Sequence, residues 1–101
     1  MNDPRRLQQA IRDLHGLDSD HVESVGVLET FQGKTVWEGE VEVFRVRGHP
    51  QATHAYAWTY TDDYGKLHHV AVLGVAPINS AVDAVRAAVA AEIKKIGRRE
   101  P

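Results

Sequence analysis

The sequence contains no cysteine, which excludes a disulfide framework, a thiolate metal site and a thiol nucleophile, and fits a reducing interior. No apolar run approaches the roughly 18 residues that a membrane span needs. The N-terminal stretch MNDPRRLQQAIRDLHG lacks the apolar central block of a secretory signal, so a cytoplasmic protein is expected. Strong charge of one sign is also missing. A formal net charge of -2 gives no global pull toward nucleic acid or anionic lipid. There is no internal repeat and no low-complexity linker. What remains is a chain of 101 residues, 43% hydrophobic and 26% charged, enough for a single domain (residues 1–101) built around one core.

Pro4 suits the first helical position, with Asp3 as N-cap. Leu7, Ala10, Ile11 and Leu14 fall on one helical face. Gly16 can take the left-handed cap conformation, which predicts a first helix over 4–15. A second helix is predicted over 81–96. It is capped by Ser80 and Asp83 in an S-x-x-D box, has a seam of Val82, Val85, Val89, Ile93 and Ile96, and ends at Gly97 before a frayed 97–101 tail.

Between the helices the pattern is β, with strands predicted over about 22–31, 35–47, 53–62 and 66–75. If Phe31 faces Thr35 across the Gly33 turn, Val25, Val27 and Phe31 share a sheet face with Trp37, Val41 and Val43. Glu29 also falls on that face. Placing Asp62 opposite Lys66 sets Trp58 by Val70, Tyr56 by Val72, Thr59 by His69 and Ala57 by Ala71. The face bearing Tyr56 and Trp58 is read as the core, because large side chains bury the most apolar area. In TVWEGEVEVFRV the alternation slips at Val43-Phe44, and a β-bulge there, opposite Tyr56, would let Trp37, Val41, Val43, Phe44 and Val46 serve one core. The expected fold is α+β: helix, four-stranded antiparallel meander, helix, with both helices on one sheet face. A version with three core strands and Val22 to Phe31 loosely attached would be dsRBD-like.

Few residue patterns carry chemistry. Glu38, Glu40 and Glu42 form a stripe expected on the helix-free face, near Thr59, Thr61 and His69. Same-face neighbours on a strand lie about 6.5–7 Å apart, so converging all three on one cation at about 2.0–2.6 Å would need unusual rotamers. The stripe therefore reads as a solvated acidic strip and a candidate interaction surface. His68 and His69 point to opposite faces and cannot share an ion. With His15, His21, His49 and His54 scattered, no metal site and no cofactor are expected. Ser19, Ser24 and Ser80 lack a nucleophile elbow. GKT at Gly33 to Thr35 precedes a strand rather than a helix, unlike a phosphate-binding loop. No catalytic motif is found, and the expectation is a protein that is not an enzyme.

The segments GKTVWEGEVEVF and GHPQATHAYAW resemble a group of short bacterial proteins without an assigned activity. The likeness rests on V-W-E-G-x-V-x-V-F, G-H-P and Y-A-W, and spans about Phe31 to Ile96. It implies a stand-alone cytoplasmic helix-sheet-helix domain and supplies no catalytic residues. The leading functional expectation is a non-enzymatic protein-interaction or assembly module, with self-association through an edge strand such as VESVGVL. The alternative is nucleic-acid binding through a basic helix side formed by Arg5, Arg6, Arg12, Lys94, Lys95, Arg98 and Arg99. A metal-binding or hydrolytic protein using His69 and the glutamates ranks third. No membrane partner is expected.

Overall fold

The computed structural model describes residues 2–99, with side chains for residues 2–91. The elements in chain order are α1 (Pro4–His15), β1 (Asp18–Phe31), β2 (Lys34–Arg47), β3 (His54–Thr61), β4 (Leu67–Leu73) and α2 (Ala81–Arg99). The strands form one antiparallel sheet in the order β1-β2-β3-β4, an α+β meander.

Both helices begin as their caps dictate. The Asp3 side chain accepts the Arg5 N–H at 3.0 Å, and Gly16, at φ 70, closes α1 by donating to the Arg12 carbonyl at 2.8 Å. At α2 the Ser80 hydroxyl accepts from the Asp83 N–H at 3.2 Å, and the Asp83 carboxylate accepts from the Asn79 N–H at 3.1 Å. α2 continues past Gly97 to Arg99, since a glycine costs a helix only about 1 kcal/mol and does not forbid it. Ile93 and Ile96 of the predicted seam lie beyond the described side chains.

The β3/β4 register is the predicted one: Trp58 pairs with Val70, Tyr56 with Val72, Ala57 with Ala71 and Thr59 with His69. β1 and β2 pair along their whole length from Asp18–Arg47 to Phe31–Lys34, so β1 is a full strand and not a loose segment. Gln32 and Gly33 both have positive φ, 53 and 77, the geometry of a two-residue hairpin turn. That turn is tighter than the predicted Phe31–Thr35 closure. Val36 takes up the odd residue, which restores the predicted pairing of Val25 with Val41 and Glu29 with Trp37.

Two expectations are corrected. The helices lie on opposite faces of the sheet. Leu7 and Ile11 of α1 pack with Phe44, Val46, Ala55 and Ala57, whereas Ala81, Ala84 and Val85 of α2 pack with Val27, Val41, Val43, Tyr56 and Trp58. Adjacent strand residues point to opposite faces, so these are two cores separated by the sheet, and the dsRBD-like arrangement with both helices on one face is not present. The alanine face of β3 was read as the wet one because its side chains are small. Small side chains also let a helix approach closely, and Ala55 and Ala57 are fully buried beneath α1.

The second correction follows from the first. β2 has no bulge at Val43-Phe44, because Glu42 to Arg45 pair without a break with Ala57 to His54. The slip in the sequence marks a change of covered face. Trp37, Val41 and Val43 serve the α2 core, and then Phe44 and Val46 serve the α1 core. The extra residue at this level is Val22, on β1, between the pairs His21–Phe44 and Glu23–Val43.

Candidate functional site

β2 and β3 are paired only from Glu42–Ala57 to Arg45–His54. Beyond Glu42 the two hairpins, β1-β2 and β3-β4, form a fork. On the α2 side the fork is spanned by Trp37 and Trp58, whose rings meet edge-on with centroids 5.5 Å apart. On the α1 side it is closed by Asn2. The Asn2 carboxamide accepts the Thr59 N–H at 2.8 Å and donates to the Glu40 carbonyl at 2.8 Å. In an unforked ladder Glu40 and Thr59 would bond directly, so a side-chain amide here replaces one rung.

The same Nδ2 donates to Glu42 at 2.9 Å. Glu42 also accepts from His21 Nε2 at 3.0 Å and from the Ser24 hydroxyl. It is 3% exposed, which corrects its predicted place on an exposed strip: the neighbouring α1 core and Asn2 enclose it. Burial raises the Glu42 pKa, but the hydrogen bonds from Ser24, Asn2 and His21, with the His21 charge, outweigh it and leave the carboxyl below its ordinary 4.5. His21 in turn lies against Phe44, with ring centroids 5.3 Å apart. Every donor in this cluster points at the carboxylate, and His21 does not bond to Ser24. The cluster therefore positions a fixed anion, held by charge-assisted hydrogen bonds from three side chains.

The other five predicted surface residues lie on the α1 face but outside the cover of α1. Glu38 and Glu40 are exposed on β2, Thr59 and Thr61 occupy β3, and His69 lies across from Thr59 on β4. Thr59 Oγ1 and His69 Nδ1 are hydrogen-bonded at 2.9 Å. His68 points to the other face. It donates to Asp62 at 2.8 Å and stacks on Tyr60, with centroids 4.9 Å apart, and this bond with those from the Lys66 and Tyr64 N–H groups lowers the Asp62 pKa. Among the described residues no group of three His, Asp or Glu side chains gathers to hold a metal ion.

Sequence reasoning missed Asn2, His21, Ser24 and Leu28 here. Leu28 was legible. Its parity puts it opposite Glu38 on the wet side of β1, and an apolar residue there is 61% exposed. Asn2 gave no signal, because nothing in the sequence marks where the strands part.

Among the described residues, two hollows beside the sheet stand out. One, about 330 Å³, lies between α1 and β1 and is lined by Arg5, Gln8, Arg12, Asp18, Asp20 and Arg47. Arg12 is paired with Asp18 at 2.8 Å and Arg47 with Asp20, so most of its charge is already matched. The other, about 380 Å³, lies at the start of α2 against Val25, Val43 and Tyr56. Because the helices are on opposite faces, Arg5, Arg6 and Arg12 do not share a side with the C-terminal part of α2. The side chains of Lys94, Lys95, Arg98 and Arg99 lie outside the described residues. No helix among the described residues is long and apolar enough to cross a membrane. Compared with protein-family models, curated proteins and solved structures, the chain matches none.

Proposed function

We propose that this protein is a non-enzymatic interaction module that docks a protein partner on the half of the α1 face left open by α1. The observation that carries the reading is the division of that face. α1 buries Phe44, Val46, Ala55 and Ala57, whereas Leu28, Glu38, Glu40 and Thr61 stay exposed on the same side. A large apolar side chain ringed by carboxylates and hydroxyls, at a strand edge, is the composition of a contact patch with a polar rim. Two glutamates without a cation between the hairpins favour a partner that brings basic residues.

The test is a comparison of wild type with the triple variant Leu28→Ser, Glu38→Lys, Glu40→Lys in cross-linking from the native cell, with partners identified by mass. All three positions are exposed, so circular dichroism should be unchanged. Loss of the same partners from the variant supports the surface. Retention of every partner by a folded variant overturns it.

A further inference from the structure

The sheet has two outer edges, and they are not equally closed. Val46 donates its N–H to Thr53 at 3.0 Å, and the Glu40 carbonyl accepts from Asn2 in the fork. Even-numbered residues of β2 therefore bond toward β3 and odd-numbered ones toward β1. Through the β1/β2 register, Glu23, Val25, Val27 and Glu29 bond to β2. The N–H and C=O groups of Ser24, Gly26, Leu28 and Thr30 are left pointing away from the sheet.

Elsewhere the edges are blunted over most of their length. At the start of β1, Gln8 donates to the Ser19 carbonyl, Asp18 and Asp20 carry charge, and Val22 breaks the ladder. On β4, the bond from Gly74 to the His54 carbonyl sets the alternation, so Leu67, His69, Ala71 and Leu73 point outward. The Ala71 and Leu73 carbonyls accept from His15 at 2.9 Å and from the Val75 N–H at 2.9 Å, which leaves a shorter open stretch, Leu67 and His69, next to the β3/β4 turn. Among the described residues, no hydrogen bond closes the stretch from Ser24 to Thr30. An unprotected edge of this kind invites another strand.

The open stretch is centred on Val27, and this selects the occupant. Antiparallel pairing with a second copy about a two-fold axis at Val27 sets Ser24 opposite Thr30 and Gly26 opposite Leu28, so each open residue meets another. A two-fold at Gly26 would oppose Glu23 with Glu29, which like charges disfavour. A two-fold at Leu28 would send Ser24 off the strand end into the hairpin turn. The side chains agree with the Val27 register. Leu28 is 61% exposed, and nothing lies within 4 Å of where a Cβ on Gly26 would be. The leucine of each copy then covers the glycine of the other. On the opposite face Glu29 is held by Arg86 of α2 at 2.9 Å and would face Val25 of the second copy, with no like charge across the junction.

We infer that the protein pairs with a second copy of itself, β1 to β1, about Val27, making one continuous eight-stranded sheet. The inference rests on reading the protein as an interaction module, but it can fail alone. The absence of cysteine makes the test direct. Val27 would sit in a non-hydrogen-bonded pair with its own copy, with Cα atoms about 4.5 Å apart, inside the range of a disulfide. Thr30 would lie six residues along the strand from its copy, roughly 20 Å away.

The full chain carrying Val27→Cys should cross-link to a covalent dimer on mild oxidation, and Thr30→Cys should not. Sedimentation of the wild type should show mass rising to twice the monomer with concentration. Leu28→Lys should weaken that association by about tenfold or more without changing the fold. A wild-type chain that stays monomeric throughout, or Thr30→Cys cross-linking as readily as Val27→Cys, overturns the proposal. If the wild type stays monomeric but a Glu38→Lys, Glu40→Lys variant that keeps Leu28 loses the cellular partners, only self-pairing has failed.

Discussion

The two faces of this sheet are both buried, but by opposite means. Under α2 the sheet supplies bulk: Tyr56, Trp58, Val41 and Val43, with Trp37 and Val70 beside them, meet small residues of the helix, Ala81 and Ala84, around Val85. Under α1 the bulk comes mainly from the helix, as Leu7 and Ile11, with Leu17 and Phe44, and β3 is smooth with Ala55 and Ala57. A helix can approach a flat alanine surface closely, whereas a ridged aromatic surface needs a smooth helix. Alternation of small and large across each interface is how both cores reach close packing. The lesson is that side-chain size along a strand does not reveal which face is buried.

The comparison predicts opposite sensitivities. Trp58→Ala should cost about 3–5 kcal/mol through the cavity it leaves. On the other face the damaging change is enlargement. Ala57→Leu should cost about 1–3 kcal/mol by forcing α1 off the sheet. Urea unfolding of both variants checks this. If Ala57→Leu stayed within about 0.5 kcal/mol of wild type, as a surface substitution does, α1 would not be covering that face.

Much of this architecture was legible in the sequence. Cap residues marked both helix starts, and the turn closed by Asp62 opposite Lys66 set the β3/β4 register because period two leaves one good alignment for Trp58, Tyr56, Val70 and Val72. The placement of the helices was not legible. Periodicity says that a strand has two faces, and an alanine face reads the same whether water or a helix lies over it. For the same reason TVWEGEVEVFRV suggested a bulge. A slip of parity arises equally when a strand keeps its register and exchanges which side it buries. Of the candidate surface, Glu38, Glu40, Thr59, Thr61 and His69 were placed together by parity alone. Glu42 was misplaced because its partners, Asn2, His21 and Ser24, come from distant parts of the chain.

Glu42 marks the border between the covered and open parts of the α1 face, and it should respond to pH where the apolar core does not. Its carboxyl titrates lower in the folded chain than the ordinary 4.5. Its contribution is therefore fully present above about pH 4.5 and is lost as the pH falls through the lower folded value. Glu42→Ala should cost about 1–3 kcal/mol at neutral pH, since it strands donors gathered around the carboxylate. Glu42→Gln should flatten the acid limb of stability measured by urea titration. An unchanged acid limb in Glu42→Gln would show that another group governs it.

Asn2 tests the fork from the same side. Asn2→Ala removes the acceptor of the Thr59 N–H and a donor to Glu40 and Glu42, a loss of about 0.5–1.5 kcal/mol. Asn2→Asp keeps the acceptor but sets a carboxylate against Glu42, and should be the worse of the two at neutral pH and recover on acidification. Hydrogen exchange at the Thr59 amide reads the rung directly. Protection there that survives Asn2→Ala would mean the strands close the rung themselves.

The smallest effect belongs to the α2 face, at its own border. Glu29 falls on that apolar face near the hairpin tip, and Arg86 reaches it at 2.9 Å with its own side chain 63% exposed, against 15% for Glu29. An exposed guanidinium is screened by water and salt, so the pair should contribute about 0.2–1 kcal/mol. The asymmetry in exposure sets the order of the single variants. Arg86→Ala leaves a mostly covered carboxylate without its partner, whereas Glu29→Gln leaves an arginine free to turn to solvent, so Arg86→Ala should cost more. A double-mutant cycle isolates the coupling, and raising the salt to about 1 M, where screening acts within about 3 Å, should shrink it. Equal costs for the two single variants would mean that the Glu29 carboxylate is as well hydrated as the arginine, and that the α2 core ends short of the hairpin tip.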